Sequence, residues 1–214
     1  MSDGRRPDVV SWALVGAGGH ARVLCDVLVR GGATVVAVSG DPRGPAWDVP
    51  VLDDAGLAAL AARTGAAVAL GVGDGARRTH LLQWAVDHDL PVPPVVASTA
   101  TVAPSALIGA GTVVLEHAHV GPSARLGRAV VVNTAAVVEH DVVVGDGSHL
   151  APGAVLLGAA EVGSATLVGS GARVLPGIRV GSRVVVGAGA VVVADVPDDV
   201  VVAGVPARPA ETRQ

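Results

Sequence analysis

The spacing of aliphatic residues is the strongest pattern in this chain. From Val102 to Val192 every sixth residue is Val, Leu or Ile, without a slip in register. The residue two positions earlier is small in most repeats, and glycine follows the aliphatic residue in half of them. Neither the 3.6-residue period of a helix nor the alternation of a half-buried strand produces this spacing. It predicts a parallel β-helix of hexapeptides, each a short strand and a tight corner with its aliphatic side chain on the axis. The sixteen inward positions are Val102, Ile108, Val114, Val120, Leu126, Val132, Val138, Val144, Leu150, Leu156, Val162, Val168, Val174, Val180, Val186 and Val192.

The residues before this repeat alternate between apolar runs and helical patterns. Three apolar runs predict strands, each followed by a glycine-rich turn, and the segments between them predict helices. This alternation indicates a small doubly wound α/β domain, in which ligands bind at the carboxyl ends of the strands, where the glycine-rich turns lie. The predicted strands are 9–15, 34–38 and 66–70, with a short last strand and linker at 91–96; the predicted helices are 20–30, 53–61 and 76–88.

The two patterns divide the chain into three parts. Residues 1–95 are predicted to form the α/β domain and residues 96–193 the β-helix. Residues 194–214 leave the six-residue period, and they are predicted to cap the open end of the solenoid, since a repeat array needs such a cap.

Composition narrows the possible functions. Half of the residues are apolar, but Phe and Tyr are absent, so Val, Ala and Leu must build the core. The net charge is −4 and all fifteen basic residues are Arg, which gives no basic surface for nucleic acid and no lysine for a P-loop or a Schiff base. The single cysteine, Cys25, excludes an internal disulfide. No apolar run is long enough to span a membrane, and the apolar run after Arg5 and Arg6 ends in a glycine turn rather than a cleavage site, so we expect a cytoplasmic protein.

The first glycine-rich turn is a candidate phosphate site. Residues 16–21 fit the G-x-G-x-x-G/A pattern between a strand and a helix, where backbone N–H groups favour phosphate oxygens. Asp41 is a poor match for the acidic residue that holds a dinucleotide ribose, so a mononucleotide or a nucleotide sugar is favoured over NAD. Glycines needed only for helix–strand packing remain an alternative. His20 either caps the helix or hydrogen-bonds substrate.

The segment 133–141 contains the strongest candidates for chemistry in the solenoid. Asn133 and Glu139 occupy the position that is glycine in half of the repeats, and His140 lies between the carboxylates of Glu139 and Asp141. A carboxylate bound to one imidazole nitrogen fixes the tautomer and lets the other nitrogen accept a proton, as a general base must. The alternative is a solvated surface triplet without a catalytic role.

Together these segments resemble a known enzyme family over essentially the whole chain. The turn at 16–20, the segment 133–141, His149 nine residues after His140, and the Gly-Val-Pro-Ala-Arg sequence at 204–208 resemble the motifs of the two-domain hexapeptide-repeat sugar acyltransferases. That family includes bacterial sialic acid O-acetyltransferases and N-acetyltransferases of UDP- or GDP-linked 4-amino sugars. The resemblance implies a left-handed β-helix of about five triangular coils, three hexads each, and a homotrimer that binds acetyl-CoA between solenoids.

The resemblance also implies roles for individual residues. His140 is implied as the general base, with Asp141 or Glu139 orienting it. Direct transfer of the acetyl group from acetyl-CoA to the amino group of a nucleotide-linked sugar follows, without an enzyme nucleophile or a metal. The implied substrate-binding residues are Gly18, Gly19, His20, Gly40, Asp41, Gly73 and Asn133, and the implied acetyl-CoA-binding residues are His149, Ser170 and Ala188.

Three other functions remain open from the sequence. O-acetylation of a sugar hydroxyl would use the same histidine. A γ-class carbonic anhydrase is also a hexapeptide trimer, but it needs three zinc-binding histidines, and the only close pair here is His117 and His119. A solenoid that serves only as a scaffold would need neither a catalytic histidine nor zinc-binding histidines.

Overall fold

The N-terminal part is a parallel sheet flanked by helices. The computed structural model describes residues 11–210; Arg5, Arg6 and the start of the first predicted strand lie outside them. The sheet has the order β3-β2-β1-β4, all parallel, as the strand–helix alternation predicts. The edge strand β3 was not predicted. The strands are β1 (Ser11–Val15), β2 (Thr34–Ser39), β3 (Val51–Leu52) and β4 (Ala67–Leu70), and the helices are α1 (Gly19–Arg30), α2 (Asp54–Thr64) and α3 (Gly75–Asp87).

Two of the helices begin at aspartate caps. Asp53 accepts a hydrogen bond from the Gly56 N–H at 2.7 Å, and Asp74 accepts one from the Arg77 N–H at 2.8 Å. Each carboxylate satisfies a backbone donor that the first helical turn leaves free. Asp53 therefore fixes the start of α2, close to the start of the predicted helix 53–61, and Asp74 fixes where α3 begins beside the last glycine turn.

The rest of the chain is a parallel β-solenoid with three faces, joined at three corners. The first face contains β5 (Val95–Val96), β8 (Val113–Val114), β11 (Val131–Val132), β14 (His149–Leu150), β17 (Leu167–Val168) and β20 (Val185–Val186), followed by β22 (Val201–Ala203) and β23 (Arg208–Pro209). The second face contains β6 (Thr101–Val102), β9 (His119–Val120), β12 (Val137–Val138), β15 (Val155–Leu156), β18 (Arg173–Val174) and β21 (Val191–Val192). The third face contains β7 (Leu107–Ile108), β10 (Arg125–Leu126), β13 (Val143–Val144), β16 (Glu161–Val162) and β19 (Arg179–Val180). We call the turn from first to second face corner A, from second to third corner B, and from third to first corner C.

The register confirms three hexads per coil. Paired residues such as Val131 and His149 lie one coil, or three hexads, apart along the chain. The solenoid has about six coils rather than the five expected, because β5 pairs with β8 and thereby opens the first face. The segment predicted as the last strand of the α/β domain, with its linker, therefore begins the solenoid. At the other end β22 pairs with β20, which agrees with the predicted capping strand.

The aliphatic positions form the axis of the solenoid, as predicted. From Val114 to Val192 the residues at six-residue steps are 4 % exposed or less. The small residues two positions earlier are also buried, because the narrow interior leaves no room for larger side chains there. The first two aliphatic positions, Val102 and Ile108, are only partly buried at the first coils.

The α/β layer packs on the first face of the solenoid. Outward-facing Val113, Leu115 and Val131 share an apolar cluster with Leu14 and Leu24 of the N-terminal sheet and helix. This burial holds the two parts together and brings the carboxyl ends of the N-terminal strands towards the coils that contain Asn133 and His149. In residues 11–210, none of the helices has the length and apolar content needed to cross a membrane.

Candidate active site

The three glycine-rich turns of the α/β part meet in one cavity at the carboxyl ends of β1, β2 and β4. Its volume is about 290 Å³. It brings together six of the residues predicted to bind substrate, Gly18, Gly19, His20, Gly40, Asp41 and Gly73, together with two that were not predicted, Arg43 and Arg77. The two guanidiniums outnumber the one carboxylate of the lining, Asp41, which lies 3.7 Å from Arg43 Nε, so the cavity keeps a net positive charge that suits a phosphorylated ligand.

The glycines of these turns serve two different purposes. A Cβ on Gly16, whose φ is +117°, would lie 2.6 Å from the Gly71 carbonyl oxygen, so packing of the first and third turns requires that glycine. At Gly18, Gly19 and Gly73 a Cβ would meet nothing within 4 Å. Packing alone therefore explains Gly16, whereas Gly18, Gly19 and Gly73 leave open space for a ligand, and no hydrogen bond within residues 11–210 occupies the N–H groups of Gly18 and Gly19.

A loop that follows β2 covers one side of the first turn. The Trp47 indole N–H donates to the Ala17 carbonyl at 3.2 Å, and the Arg22 guanidinium lies 4.5 Å from the centre of the Trp47 ring. Arg22 also donates to the carbonyls of Arg43 and Pro45. These contacts hold Arg43 at the rim of the cavity, and no sequence motif indicated them.

His20 occupies the boundary between the cavity and the solenoid. Its buried Nε2 has no hydrogen-bond partner within the described part of the chain. Burial, and to a smaller extent the nearby charges of Arg78 and His149, together lower the pKa of His20 to about 4. The imidazole is therefore neutral at neutral pH, with a ring nitrogen left for a ligand.

His149 forms a hydrogen-bonded pair with Asn133 on the solenoid side of the same region. Asn133 Nδ2 and His149 Nε2 are 3.0 Å apart, and Asn133 Oδ1 accepts the Thr134 N–H at 2.8 Å. Because the amide nitrogen is a donor, Nε2 is the acceptor and Nδ1 carries the proton. Burial and then the Arg78 charge lower the pKa of His149 to about 4, against an opposing hydrogen bond with the Gly73 backbone.

Arg78 is the buried charge of this region, and sequence reasoning missed it. It is 0 % exposed and lies in α3, and burial lowers its pKa to about 10. Its guanidinium donates to backbone carbonyls of both the α/β part and the solenoid. Because every Lys-or-Arg position of the chain is Arg, nothing in the sequence distinguishes the buried arginine from the exposed ones. Only the packing of α3 on the coils identifies it.

His140 and Asp141 form the expected imidazole–carboxylate pair at corner B. His140 Nδ1 lies 2.8 Å from Asp141 Oδ2, and both side chains are 61 % exposed. Asp141 adopts a left-handed φ of 59°, a conformation that Asp tolerates better than most residues. Within residues 11–210, Glu139 makes no hydrogen bond to His140. Nε2 remains free, above Gly158 of the next coil, where a Cβ would lie 2.5 Å from it.

A single chain does not bring all predicted site residues together. Asn133, Ser170 and Ala188 lie at corner A, each just after a strand of the first face, and His149 lies on that face beside the cavity. His140 and Asp141 lie at corner B, across the second face. The predicted base is thus separated, within one chain, from the cavity and from the predicted acetyl-CoA residues.

Two further observations concern alternative sites. A groove of about 640 Å³ on the third face is larger than the glycine-turn cavity, but it contains none of the predicted site residues; Val143, Glu161 and Arg179 line it. Across residues 11–210 no three His, Cys, Asp or Glu side chains are grouped as a metal site would require.

Comparisons with known proteins identify close structural relatives. No protein-family model and no curated protein sequence matches the chain. Among solved structures, the acetyltransferase domain of PglB from Neisseria gonorrhoeae FA1090, in complex with acetyl coenzyme A, is 35 % identical, with a TM-score of 0.88 over 94 % of this chain and 99 % of that one. A histidine-to-asparagine variant of perosamine N-acetyltransferase from Caulobacter crescentus, in complex with CoA and GDP-perosamine, is 34 % identical, with a TM-score of 0.89 over 94 % of this chain and 97 % of that one. WeeI from Acinetobacter baumannii AYE shares the fold at 24 % identity, with a TM-score of 0.84 over 93 % of this chain and 99 % of that one.

Proposed function

Because the chain belongs to the two-domain hexapeptide-repeat sugar acyltransferase family, we propose that it transfers an acetyl group from acetyl-CoA to the amino group of a nucleotide-linked 4-amino sugar. The chain is a sugar acyltransferase with acetyl-CoA as its co-substrate. N-acetylation is favoured over O-acetylation because one relative, 34 % identical, is an N-acetyltransferase in complex with CoA and GDP-perosamine. A Rossmann-like N-terminal domain, a left-handed solenoid and a cytoplasmic location are part of the same proposal.

One observation carries the chemical part of this proposal, the His140–Asp141 pair. The carboxylate holds Nδ1 at 2.8 Å, so the neutral ring carries its proton there and Nε2 has a free lone pair. A group in this state accepts a proton from an amine and then bears a positive charge that Asp141 stabilises. Asp141, rather than Glu139, is therefore the proposed orienting residue.

The proposed reaction is direct transfer. The sugar amine attacks the thioester carbonyl carbon, and its nitrogen loses a proton to His140 Nε2. A C–N bond forms, the C–S bond breaks, and the CoA thiolate leaves. The proton on His140 then passes to the thiolate, so the free base and CoA thiol are regenerated. No enzyme nucleophile takes part.

The glycine-turn cavity is the proposed site of the nucleotide sugar. Free N–H groups of Gly18 and Gly19 at the start of α1, with Arg43 and Arg77, suit the two phosphates of a nucleoside diphosphate. His20 Nε2 is available to hydrogen-bond the ligand. His149 on the first face, with Ser170 and Ala188 at corner A, forms the proposed acetyl-CoA site, and Asn133 at corner A is proposed to contact the sugar.

We further propose a homotrimer in which His140 of one chain completes the site of its neighbour. The separation of corner B from the cavity and corner A supports this arrangement, since within one chain the His140–Asp141 pair lies away from the cavity. Apolar side chains on the third face, Leu107 at 63 % and Val143 at 42 % exposure, are suited to contact between solenoids.

A substrate screen tests the activity itself. The protein is incubated with acetyl-CoA and UDP- or GDP-linked 4-amino sugars, and mass spectrometry with fragmentation locates the added acetyl group. We expect acetylation of the 4-amino nitrogen. The matching 4-hydroxy sugars are the control, and acetylation of their hydroxyl instead would replace the proposal with O-acetylation.

Substitutions at corner B test the base. His140→Ala should reduce kcat by roughly 10²–10⁴-fold, the usual contribution of a positioned base, with fold and trimer retained. Asp141→Asn should reduce kcat more than Glu139→Gln does. His117→Ala changes an exposed histidine of another solenoid corner and is the matched control. Wild-type kcat in the His140 variant would exclude the proposed mechanism.

Mixed oligomers test the shared site. His140→Ala and His149→Ala chains, each inactive alone, are unfolded together and refolded as mixed trimers. Sites that combine the intact His140 of one chain with the intact His149 of the other should restore part of the activity. No recovery in verified mixed trimers would place the complete site within one chain.

A further inference from the structure

The most unusual buried group in the protein is the Arg78 guanidinium. A buried cation is normally paired with a carboxylate, because removal from water is costly. Within residues 11–210 no carboxylate forms an ion pair with Arg78. The acidic side chain acting on it is Asp74, which raises its pKa from a distance while burial lowers it. Some other interaction must compensate for the buried charge.

Backbone carbonyls provide that compensation. A guanidinium has five N–H donors in a fixed planar arrangement. In Arg78, Nε donates to Ala129 at 2.7 Å, Nη1 to Val72 at 3.0 Å and Gly73 at 2.8 Å, and Nη2 to Gly147 at 2.9 Å and Ser148 at 3.2 Å. All five donors have a carbonyl acceptor, so the group acts as a connector between backbone segments.

Four of the five carbonyls belong to the two halves of the proposed active site, and the fifth, that of Ala129, lies at corner C of the preceding coil. Val72 and Gly73 line the glycine-turn cavity, and Gly147 and Ser148 immediately precede His149 on the first face. The backbone of α3 also approaches the solenoid directly, because a Cβ on Gly75 would overlap the Gly147 carbonyl oxygen. Arg78 therefore joins the wall of the cavity to the coil that carries His149.

We propose that Arg78 is a positioning residue of the transfer reaction. By hydrogen-bonding the backbones of both segments, it fixes the position of His149 relative to the glycine-turn cavity. This inference rests on the proposed function for its link to catalysis. The hydrogen bonds by which Arg78 links the cavity wall to the coil of His149 do not depend on that function.

The positive charge adds a second consequence. Arg78 acts on both His20 and His149 and disfavours their protonated forms. The other charged side chains at the cavity are Asp41, Arg43 and Arg77, and Asp74 lies at the start of α3. Burial is the larger cause of both low pKa values and Arg78 adds to it, so both imidazoles are neutral at neutral pH and His20 Nε2 stays available to a ligand.

Three variants separate the effect of the hydrogen bonds that Arg78 makes to both backbones from the effect of its positive charge. Arg78→Ala removes both, Arg78→Lys keeps a charge with only three donors, and Arg63→Ala removes an exposed arginine from α2 as the control. We expect Arg78→Ala to lower kcat/KM for the amino sugar by roughly 10²-fold, as a misplaced site does. Guanidinium ion added at millimolar concentration should raise the kcat/KM of Arg78→Ala at least tenfold. It should not change the kcat/KM of the wild type or of Arg63→Ala.

The lysine variant keeps the proposal testable if the alanine variant does not fold. Arg78→Lys should fold and should lose kcat/KM by at least tenfold, because an ammonium cannot reach all five carbonyls. Wild-type kcat/KM in Arg78→Lys, or a folded Arg78→Ala protein that guanidinium fails to rescue, would overturn the proposal.

A measurement without substrate separates this inference from the proposed function. Histidine ring ¹⁵N shifts are followed against pH in the intact protein. The midpoints of His20 and His149 should lie well below 6.5 in wild type and in Arg78→Lys, and they should be higher in Arg78→Ala, although still below 6.5 because burial is the larger cause. Unchanged midpoints in a folded Arg78→Ala protein would refute the electrostatic role even if no acetyl transfer had been found.

Discussion

At the scale of single residues, the surroundings of His140 explain how an exposed imidazole can be held in one orientation. Asp141 holds Nδ1 from one side, and the ring lies over Gly158 of the next coil from the other. Gly158 has no left-handed φ, so its backbone conformation does not require glycine. Glycine is needed there because the His140 ring occupies the space that a side chain would fill. A side chain there would displace the imidazole.

We therefore expect Gly158→Ala to reduce activity with little loss of stability. The new Cβ would lie 2.5 Å from His140 Nε2 and 2.6 Å from Cε1, and the imidazole would rotate away from Asp141. Steady-state kinetics should show kcat reduced by roughly 10²-fold.

The double variant Gly158→Ala with His140→Ala is the matched control, because without the imidazole the methyl group has nothing to displace. If Gly158→Ala reduced kcat by the same factor in the wild type and in the His140→Ala protein, the explanation would be contradicted.

At the scale of the structural elements, the three corners of the solenoid follow different rules. The left-handed conformation recurs at every sixth residue from 111 to 189, and eight of those fourteen residues are not glycine. The glycines after the inward aliphatic residues are required mainly at corner C, where a Cβ on Gly145 or Gly163 would meet the backbone of the next coil at 2.6 Å or 2.5 Å. Asn133 and Glu139 lie at the other two corners, where Leu115 and Leu157 fill the same position. Their replacement of glycine is thus less exceptional than the sequence pattern indicates.

Corner C also contains buried hydroxyls that link successive coils. Thr112, Ser148 and Thr166 are at most 1 % exposed. Thr166 Oγ1 donates to the Gly181 carbonyl at 2.7 Å and accepts the Val184 N–H at 3.1 Å. The sequence indicated only small residues here, although the hydroxyl satisfies two backbone groups of the next coil.

Thr166→Val should therefore destabilise the protein by about 1–3 kcal/mol, the effect of leaving buried backbone groups unpaired in an unchanged volume. Urea denaturation monitored by circular dichroism measures this change. Thr101→Val alters an exposed threonine of the second face and should change stability by less than about 0.5 kcal/mol. Equal effects of the two substitutions would argue against the hydroxyl link.

At the scale of the whole molecule, the contact between the α/β part and the solenoid includes His20, His149 and the buried Arg78. Both histidines have folded pKa values of about 4, below the 6.5 of an unfolded histidine. Between these values the unfolded chain binds more protons than the folded one, so stability falls as pH decreases from about 6.5 towards 4. Above 6.5 the stabilising contribution is fully present.

We expect the free energy of unfolding to decrease over this pH range, by an amount on the order of 3 kcal/mol at most for His20, because one pKa unit corresponds to about 1.4 kcal/mol. Urea titrations at pH values from 7 to about 4.5 measure the slope. The double variant His20→Gln, His149→Gln should show a shallower slope, whereas His117→Gln should match wild type. Parallel slopes in all three proteins would assign the acid sensitivity to other groups.

The sequence alone determined much of the architecture. The six-residue period identified the axis from Val114 to Val192, because in a solenoid the neighbours of each residue lie a constant number of residues away. The alternation before residue 95 identified the parallel sheet, and the turn motifs identified the residues of its cavity. His140 was recognised as a candidate base between Glu139 and Asp141 because the three residues are adjacent in the chain, whereas the hydrogen bond with Asp141 rather than Glu139 is seen only in the structure.

Only the tertiary structure decided how these parts meet. The hydrogen bond between Asn133 and His149 joins neighbouring coils on the first face, and the placement of His140 at another corner follows from the order of the faces. Arg78 has no motif, because its five acceptors are backbone carbonyls from segments distant in sequence, and any residue type supplies a carbonyl. Side-chain identity therefore indicated the groups that are proposed to do the chemistry, whereas the packing of α3 on the solenoid determined what holds the surrounding segments together.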